Sequence, residues 1–262
     1  MSGRPLYSRL VVGVDGLQGG ADAAALAAML GSPGALITLV YVSTVPFAGH
    51  ASTRELDLAD DTSLAALLTA ERDLCGVEPE VLHVLAPTVG AGLELAAEQR
   101  DADLLVVGAS RRHGLARLAG GDDARSVLRR APCVVALAPS RYAHHPQPPV
   151  RVGVVDDASE ESEVAVAHAG LIAAELRAQL RAQQVADVEH LRGPVGDALV
   201  EFSNQVDLLV CGSRRGRPLW RLAEGSTGEE LARRVRIPLV ITPPSDPSAL
   251  DRWRSVRQPA TA

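Results

Sequence analysis

Lysine is absent from this chain of 262 residues, so all 26 basic residues are arginine. Without lysine the chain has no P-loop phosphate clamp and no Schiff-base chemistry. Aromatic residues make up only 3% of the chain, and the formal net charge is −6. General nucleic-acid binding needs a basic face against the phosphates, so the acidic balance argues against it.

Cysteines and long apolar runs are also scarce. The three cysteines, Cys75, Cys133 and Cys211, are an odd number and include no Cys-x-x-Cys pair, so we expect buried, reduced thiols. No apolar run approaches the roughly 20 residues that cross a bilayer, and the N-terminus shows no signal pattern. We therefore expect a cytoplasmic protein that binds neither membranes nor nucleic acid.

The chain contains an internal repeat. Asp103-Leu-Leu-Val-Val-Gly108 and Asp207-Leu-Leu-Val-Cys-Gly212, which lie 104 residues apart, both lead into a Ser-Arg-Arg tripeptide. The first strands also match when Asp15 is aligned with Asp156, but the offset is then 141 residues. The second copy therefore lacks about 37 residues, equivalent to the region around 41–80. This pattern predicts two copies of one domain, the second shortened.

Strands and helices alternate in both copies, which predicts an α/β fold with two doubly wound, Rossmann-like parallel sheets in tandem. Residues 43–52 are predicted as a loop, and 177–191 are open between one strand, two strands and a longer helix. The predicted strands are 9–14, 35–42, 81–85, 104–107, 133–137, 151–155, 208–211 and 239–242, and the predicted helices are 21–30, about 55–74, 89–100, 122–130, 159–176, 195–204 and 227–234.

A proline-rich segment from Pro139 to Pro149 separates the copies, because its prolines continue neither helix nor sheet. We expect a first domain over residues 1–140, a linker over 141–149 and a shortened second domain over 150–245. Residues 246–262 are rich in Pro, Ser and Arg and are predicted to be a disordered tail.

Glycines stand where an α/β sheet binds phosphates. Ligands bind at the carboxyl ends of parallel strands, and phosphates favour a glycine turn that leads to a helix N-terminus. Gly108 and Gly212 end strands, while Gly121 and Gly225 precede predicted helices.

With these residues the chain resembles the tandem form of the universal stress protein family. Family members have an early strand ending in Val-Asp-Gly-Ser and, for ATP binding, Gly, two residues, Gly, nine residues, Gly and then Ser or Thr. The stretch 127–136, Val-Leu-Arg-Arg-Ala-Pro-Cys-Val-Val-Ala, is similar to what the family shows before its last strand. The resemblance covers 9–242 and implies an adenine nucleotide alpha hydrolase-like fold, with ATP and Mg²⁺ as the expected ligands.

Neither copy matches the ATP motif fully. In the first copy Val14, Asp15 and Gly16 are kept, but Arg111 stands in place of the second glycine. Asp122 replaces the Ser or Thr, and with Asp123 it would repel a triphosphate unless Mg²⁺ intervened.

The second copy keeps the phosphate end of the motif better. Gly225-Ser226-Thr227 fits it, and Arg214, Arg215 and Arg217 suit phosphate geometry, although Arg215 replaces the second glycine. Its first strand reads Asp156-Asp157-Ala158 instead of Asp-Gly-Ser. The candidate nucleotide-binding residues are Asp156, Gly212, Arg215, Gly225, Ser226 and Thr227 in the second copy and Val14, Asp15, Gly108 and Gly121 in the first.

Structural roles compete with these assignments. Ser226 and Glu229 form a capping box that a helix uses with or without a ligand. Asp15 and Asp156 suit the turns after strands in any case. The arginines that follow Gly108 and Gly212 are also compatible with solvated loops. No residue is assigned a catalytic or metal-binding role.

Three functions remain open. The first is a non-enzymatic stress regulator that binds ATP in one degenerate site, with slow ATP hydrolysis at most, and signals through a protein partner. The second is an interaction scaffold whose nucleotide sites are vestigial. The third, an ATP-hydrolysing enzyme of the ATP pyrophosphatase type, calls for a Ser-Gly-Gly-x-Asp-Ser loop, where this chain has Asp15-Gly-Leu-Gln-Gly-Gly20.

The family resemblance also implies that the last strands of the two copies pair. The expected partners are Val134 to Ala138 and Leu239 to Thr242, which would make the chain a pseudo-dimer. Further assembly into a homodimer is left open.

Overall fold

A computed structural model describes residues 6–44, 52–55, 68–108, 131–156, 158, 160–184, 200–212 and 235–243. The elements in chain order are β1 (Arg9–Val14), α1 (Gln18–Leu30), β2 (Leu36–Thr44), β3 (Ser52–Glu55), α2 (Thr69–Leu74), β4 (Glu80–Ala86), α3 (Val89–Gln99), β5 (Leu104–Gly108), β6 (Val134–Ala138), a 3₁₀ turn (Tyr142–His144), β7 (Arg151–Asp156), α4 (Glu160–Leu176), β8 (Gln179–Gln184), β9 (Leu208–Gly212) and β10 (Leu239–Thr242).

The described strands form one ten-stranded sheet in the order β3-β4-β2-β1-β5-β6-β10-β9-β7-β8. Neighbouring strands within each half are parallel, except that β3 pairs antiparallel with β4. Where the halves meet, β6 and β10 pair antiparallel, with Leu239 opposite Leu137 and Ile241 opposite Val135. Parallel neighbours joined through helices are the doubly wound α/β fold that the alternation predicts.

The predicted bounds of the buried strands agree with the structure to within two residues, and the prediction fails near residue 50. The bounds of β1 and β10 match the prediction, whereas the predicted loop over 43–52 is wrong at both ends: Ser43 and Thr44 continue β2, and Ser52 begins β3. The predicted helix over 55–74 is wrong at its start, because Glu55 belongs to β3. Only Thr69–Leu74 of that helix lies within the described residues. The four residues of β3 have no apolar alternation, and their pairing with β4 defines them as a strand.

The open segment over 177–191 begins as a strand. α4 ends at Leu176, Arg177 adopts a left-handed φ of 53°, and β8 follows at Gln179. Residues 200–203 are helical, in agreement with the end of the predicted helix 195–204. The predicted helices 122–130 and 227–234, the start of 195–204 and the tail 246–262 lie outside the described residues.

The aspartate that opens each repeat motif has the same structural role in both halves. Asp103 accepts hydrogen bonds from the backbone N–H groups of Ser8 and Arg9 at 2.8 and 3.1 Å. Asp207 accepts them from the N–H groups of Val150 and Arg151 at 3.1 and 2.8 Å. Each carboxylate therefore fixes the amino end of the first strand of its half. The Arg151 side chain bonds to Asp207 and holds the pKa of that carboxyl below its ordinary value.

The pairing register corrects one part of the repeat alignment. Leu10 of β1 lies opposite Leu104, whereas Val152 of β7 lies opposite Leu208. Because Leu104 and Leu208 are equivalent, Val152 corresponds to Leu10, and Asp156 corresponds to Val14. The alignment of Asp15 with Asp156 is therefore wrong by one residue. A slip of one residue would also turn each side chain to the opposite face of the sheet.

One hydrophobic core cluster runs through both halves, combining Val12 and Leu26 with Val152, Ala169 and Ile172. The buried rings of Tyr7 and His168 share a hydrogen bond across the halves, between residues that are 161 positions apart in the chain. Burial raises the pKa of Tyr7 well above its ordinary value.

The prediction of buried thiols is confirmed. All three cysteines, Cys75, Cys133 and Cys211, are unpaired and buried. Burial raises the pKa of each thiol to about 12, so the reactive thiolate form is suppressed. None of the described helices has the length and apolar character that crossing a membrane requires.

Candidate functional site

The candidate residues gather at the carboxyl ends of the strands. Because β1 and β5 are parallel neighbours, Val14 and Asp15 lie at the same sheet edge as Gly108. The neighbours β7 and β9 bring Asp156 and Gly212 to the corresponding edge of the second half. The other candidates lie outside the described residues: Gly121, Arg215, Gly225, Ser226 and Thr227.

Asp15 shapes the turn between β1 and α1. Its Oδ1 accepts a hydrogen bond from the Leu17 N–H at 3.0 Å. Gly16 between them has a φ of 71°, a left-handed conformation that glycine adopts without strain. This Asx turn needs no ligand to explain the aspartate and glycine at these positions.

Asp156 makes a similar turn, but it lies one residue earlier in its strand than Asp15 does in the equivalent strand of the first half. Its Oδ1 accepts hydrogen bonds from the Ala158 N–H at 2.9 Å and from the Ser162 hydroxyl at 2.8 Å. Ala158 adopts a left-handed φ of 57° at the position that Gly16 holds in the first half, and this conformation is more strained for alanine than for glycine. Asp156 therefore links the end of β7 to the first turns of α4 from a position that Val14 holds in the first half.

Gly108 has a packing role that explains its glycine. A Cβ placed on Gly108 would stand 2.0 Å from the carbonyl oxygen of Gly19 and 2.8 Å from its Cα. The start of α1 thus lies directly against the end of β5, and both residues lack side chains at the contact. In the second half, Gly212 pairs with Thr242 at the carboxyl end of β10.

Glu71 of α2 is a site residue that sequence reasoning missed. Its side chain is 1% exposed and lies beside the first turn of α1, where a Cβ placed on Gly20 would stand 2.7 Å from Glu71 Oε1. Burial raises the pKa of Glu71, the negative charge of Asp15 adds to this, and the N–H of Gly16 opposes it. In the sequence Glu71 stands in a charged stretch, Glu71-Arg72-Asp73, with nothing to separate it from an exposed acid.

A polar pair lies on the neighbouring strands β2 and β4. The Ser43 hydroxyl is 2.8 Å from Nε2 of His83, and the ring of Tyr41 contacts the His83 imidazole with centroids 5.6 Å apart. These contacts tie β2 to β4, so His83 has a structural role. Among the described residues, no group of three or more His, Cys, Asp or Glu side chains is arranged to hold a metal ion.

The opposite end of the first half contains a cavity of about 420 Å³, lined by apolar residues of β1 and β2 together with Glu80 and Arg100. Glu80 is already engaged, since it accepts hydrogen bonds from Thr38 and Arg100. The cavity lies at the amino ends of the strands, away from the candidate residues.

Comparison with known proteins points to one family. The model of the universal stress protein family matches residues 6–139 and 185–243, which together are more than half of the chain. Among curated proteins no significant match is found.

Solved structures resemble the chain along nearly its whole length. A universal stress protein from Archaeoglobus fulgidus is 15% identical, with 94% of this chain and 99% of that chain covered and a TM-score of 0.65. A functionally unknown protein from Pseudomonas aeruginosa is 12% identical, with 95% and 97% covered and a TM-score of 0.58. At such identities the likeness supports the fold alone.

A universal stress protein solved in complex with cAMP matches a shorter part. It is 20% identical, the match covers 50% of this chain and 96% of that chain, and the TM-score is 0.37.

Proposed function

Because the chain belongs to the universal stress protein family, we propose that it is a non-enzymatic stress-response regulator that binds one Mg²⁺-ATP through its second half. The observation that carries this proposal is the difference between the two phosphate ends. Gly225-Ser226-Thr227 offers backbone N–H groups and hydroxyls, whereas Gly121 is followed by two carboxylates, Asp122 and Asp123. The sequence between Gly212 and Gly225 also contains Arg214, Arg215 and Arg217, whose guanidinium groups suit phosphate geometry.

The first half is the poorer candidate for a structural reason as well. Gly108 is already in close contact with the backbone of Gly19. The glycine at which a nucleotide would approach the end of β5 is therefore packed against the start of α1.

The second candidate function is an interaction scaffold with no nucleotide. Its support is that Arg111 and Arg215 both replace the second motif glycine, and that Asp15 and Asp156 each complete a turn without a ligand. In either function we propose that the protein acts by binding a protein partner. We also propose that it is located in the cytoplasm.

Calorimetric titration with Mg²⁺-ATP separates the two functions. We expect wild type to bind about one ATP per chain, and Gly225→Asp to weaken binding at least about tenfold, because a carboxylate would face the triphosphate. Gly121→Asp is the matched control and should bind as wild type does. Absence of heat for all three proteins at millimolar ATP would support the scaffold, and loss of binding in Gly121→Asp alone would move the site to the first half.

We further propose that the chain is a pseudo-dimer of two domains, 1–140 and 150–245, joined through β6 and β10. Their antiparallel register and the core cluster shared by Val12, Val152 and Ile172 support this arrangement. Pairing within one chain leaves no free last strand for a second copy, so any homodimer would use another surface.

Paired cysteines at Leu137 and Leu239 test the pairing. Opposite residues of antiparallel strands have Cα atoms about 4.5–5.5 Å apart, within disulfide reach. We expect Leu137→Cys with Leu239→Cys to form an intramolecular disulfide, detected by peptide mass spectrometry. Leu137→Cys with Ile241→Cys, displaced by two residues, should remain reduced. Disulfides that form only between chains would contradict the pseudo-dimer.

A further inference from the structure

One face of β8 is open in the second half, whereas the same face of the equivalent strand is buried in the first. β8 pairs with β7 as β2 pairs with β1. Ile37 and Leu39 of β2 are 5% and 0% exposed. Their equivalents by strand register, Leu180 and Ala182, are both exposed, Leu180 to 44%. Among the described residues, nothing buries this open face of β8, which we define by Leu180 and Ala182.

In the first half, α2 contributes to the cover of this face. Leu68 and Cys75, which flank α2, are buried in the same core cluster as Ile37. The repeat leaves the region around 41–80, which carries α2, without a counterpart in the second half. The open face of β8 is therefore the surface that the missing segment would have covered.

The repeat assigns other positions to the chain that follows β8. With the offset of 104 residues between β5 and β9, residues 185–199 correspond to 81–95, which form most of β4 and the start of α3. α3 packs in the other core cluster, on the face of the sheet opposite to Ile37. A cover for the open face of β8 therefore has to come from elsewhere in the chain or from another molecule.

The C-terminal tail contains an apolar stripe at helical spacing. Leu250, Trp253 and Val256 follow one another at intervals of three residues, which places them on one face of a helix. Asp246 and Pro247 precede them, and these residue types are favoured at the N-cap and the first position of a helix. A helix this short is marginal in water on its own, in keeping with the disorder that its composition predicts. Burial of the stripe would stabilise it.

The tail begins close enough to reach β8. β10 ends at Thr242 and is parallel to β9, β7 and β8, so these strands end at the same edge of the sheet. Three strand spacings, about 14 Å, separate β10 from β8. Residues 243–247, with three prolines, span about 15 Å when extended. A helix over 247–257 would be about 16 Å long, enough to cover β8 from its end back to Leu180.

We propose that residues 246–257 dock as a helix on the open face of β8, with Leu250 and Trp253 against Leu180, and so take the place that α2 has in the first half. The tail of the same chain is favoured over a second copy because a short tether gives it a high effective concentration at this face. The proposal concerns the core of the second half and does not depend on nucleotide binding.

The fluorescence of Trp253 tests this proposal in the full chain. Trp220→Phe removes the only other tryptophan, so that Trp253 alone reports. We expect its emission to lie to the blue of that of a synthetic peptide of residues 246–262, and acrylamide to quench it several-fold less. Leu180→Glu in this background should shift the emission to the red and remove most of the protection, because a carboxylate would face the apolar stripe.

Leu36→Glu is the matched control. Leu36 is 69% exposed on β2 of the first half, so this variant should leave the emission of Trp253 unchanged. Ala182→Glu is a second variant on the open face, and it replaces Leu180→Glu if circular dichroism shows that the latter is unfolded.

Quenching of Trp253 as strong as in the peptide would overturn the proposal, and so would protection that both open-face variants leave intact. Protection that is lost on dilution, together with dissociation of a dimer, would also overturn it and would assign the open face to a second copy of the chain.

Discussion

Gly108→Ala is expected to lower the free energy of unfolding by about 3 kcal/mol or more, because the new Cβ would stand 2.0 Å from the Gly19 carbonyl oxygen. Both groups belong to the backbone, so no side chain can rotate away. The clash could be relieved only if α1 moved away from the end of β5. Such a movement would disturb the core cluster that both halves share, because α1 packs in it. Urea denaturation followed by circular dichroism, without nucleotide, measures the effect.

Gly170→Ala is the matched control for this substitution. Gly170 lies inside α4, and a Cβ there meets no atom within 4 Å. Alanine is favoured over glycine inside helices, so the variant should gain about 0.5–1 kcal/mol of stability. If Gly108→Ala were as stable as wild type and affected only nucleotide binding, Gly108 would be a ligand-binding residue and its packing role would be wrong.

Asp22→Ala is expected to lower the free energy of unfolding by about 3 kcal/mol, because it removes a buried acceptor that three donors share. Asp22 is 1% exposed and accepts hydrogen bonds from the Arg141 and Ala143 N–H groups at 2.8 and 2.9 Å. Gln18 Nε2 donates a third at 2.9 Å. Truncation would leave these donors unpaired where the 3₁₀ turn of the linker packs on α1.

Hydrogen exchange locates this loss in the linker. In Asp22→Ala the amides of Arg141 and Ala143 should exchange faster than they do in wild type, because they lose their acceptor. The increase should be larger than that of the sheet amides of β1. Asp101→Asn is the control, because Asp101 is exposed, its ion pair with Arg9 spans 3.9 Å, and Asn tolerates its left-handed φ of 44°. Its stability should stay within about 0.5 kcal/mol of wild type. Unchanged exchange at Arg141 in Asp22→Ala would contradict the linker contact.

The predictable part of the fold is the part with strong local signals. β1 and β10 are short apolar runs next to turn residues, and their bounds were predictable to the residue. The short edge strand β3 was not, because its polar residues have no strand pattern and only the pairing with β4 defines it. The contact between Tyr7 and His168 joins residues 161 positions apart and has no signature in either neighbourhood.

Sequence reasoning placed the candidate residues at the carboxyl ends of the strands, where the described ones lie, but it did not show which contacts they make. The matching of identical residues aligned Asp15 with Asp156, whereas the strand register makes Asp156 equivalent to Val14. Matching residue types does not report which face of the sheet a side chain occupies. Gly108 was chosen for a phosphate role and has a packing role that depends on Gly19, a residue far away in the chain. Glu71 was missed because burial of a single acid in a charged stretch depends on tertiary packing.

The most direct test of the central claim is photolabelling of the full chain with 8-azido-ATP and Mg²⁺, followed by peptide mass spectrometry. We predict label on peptides from residues 150–245, in proportion to one site per chain, with competition by unlabelled ATP. Competable label on peptides from residues 1–140, or none above the level without irradiation, would contradict a nucleotide site in the second half.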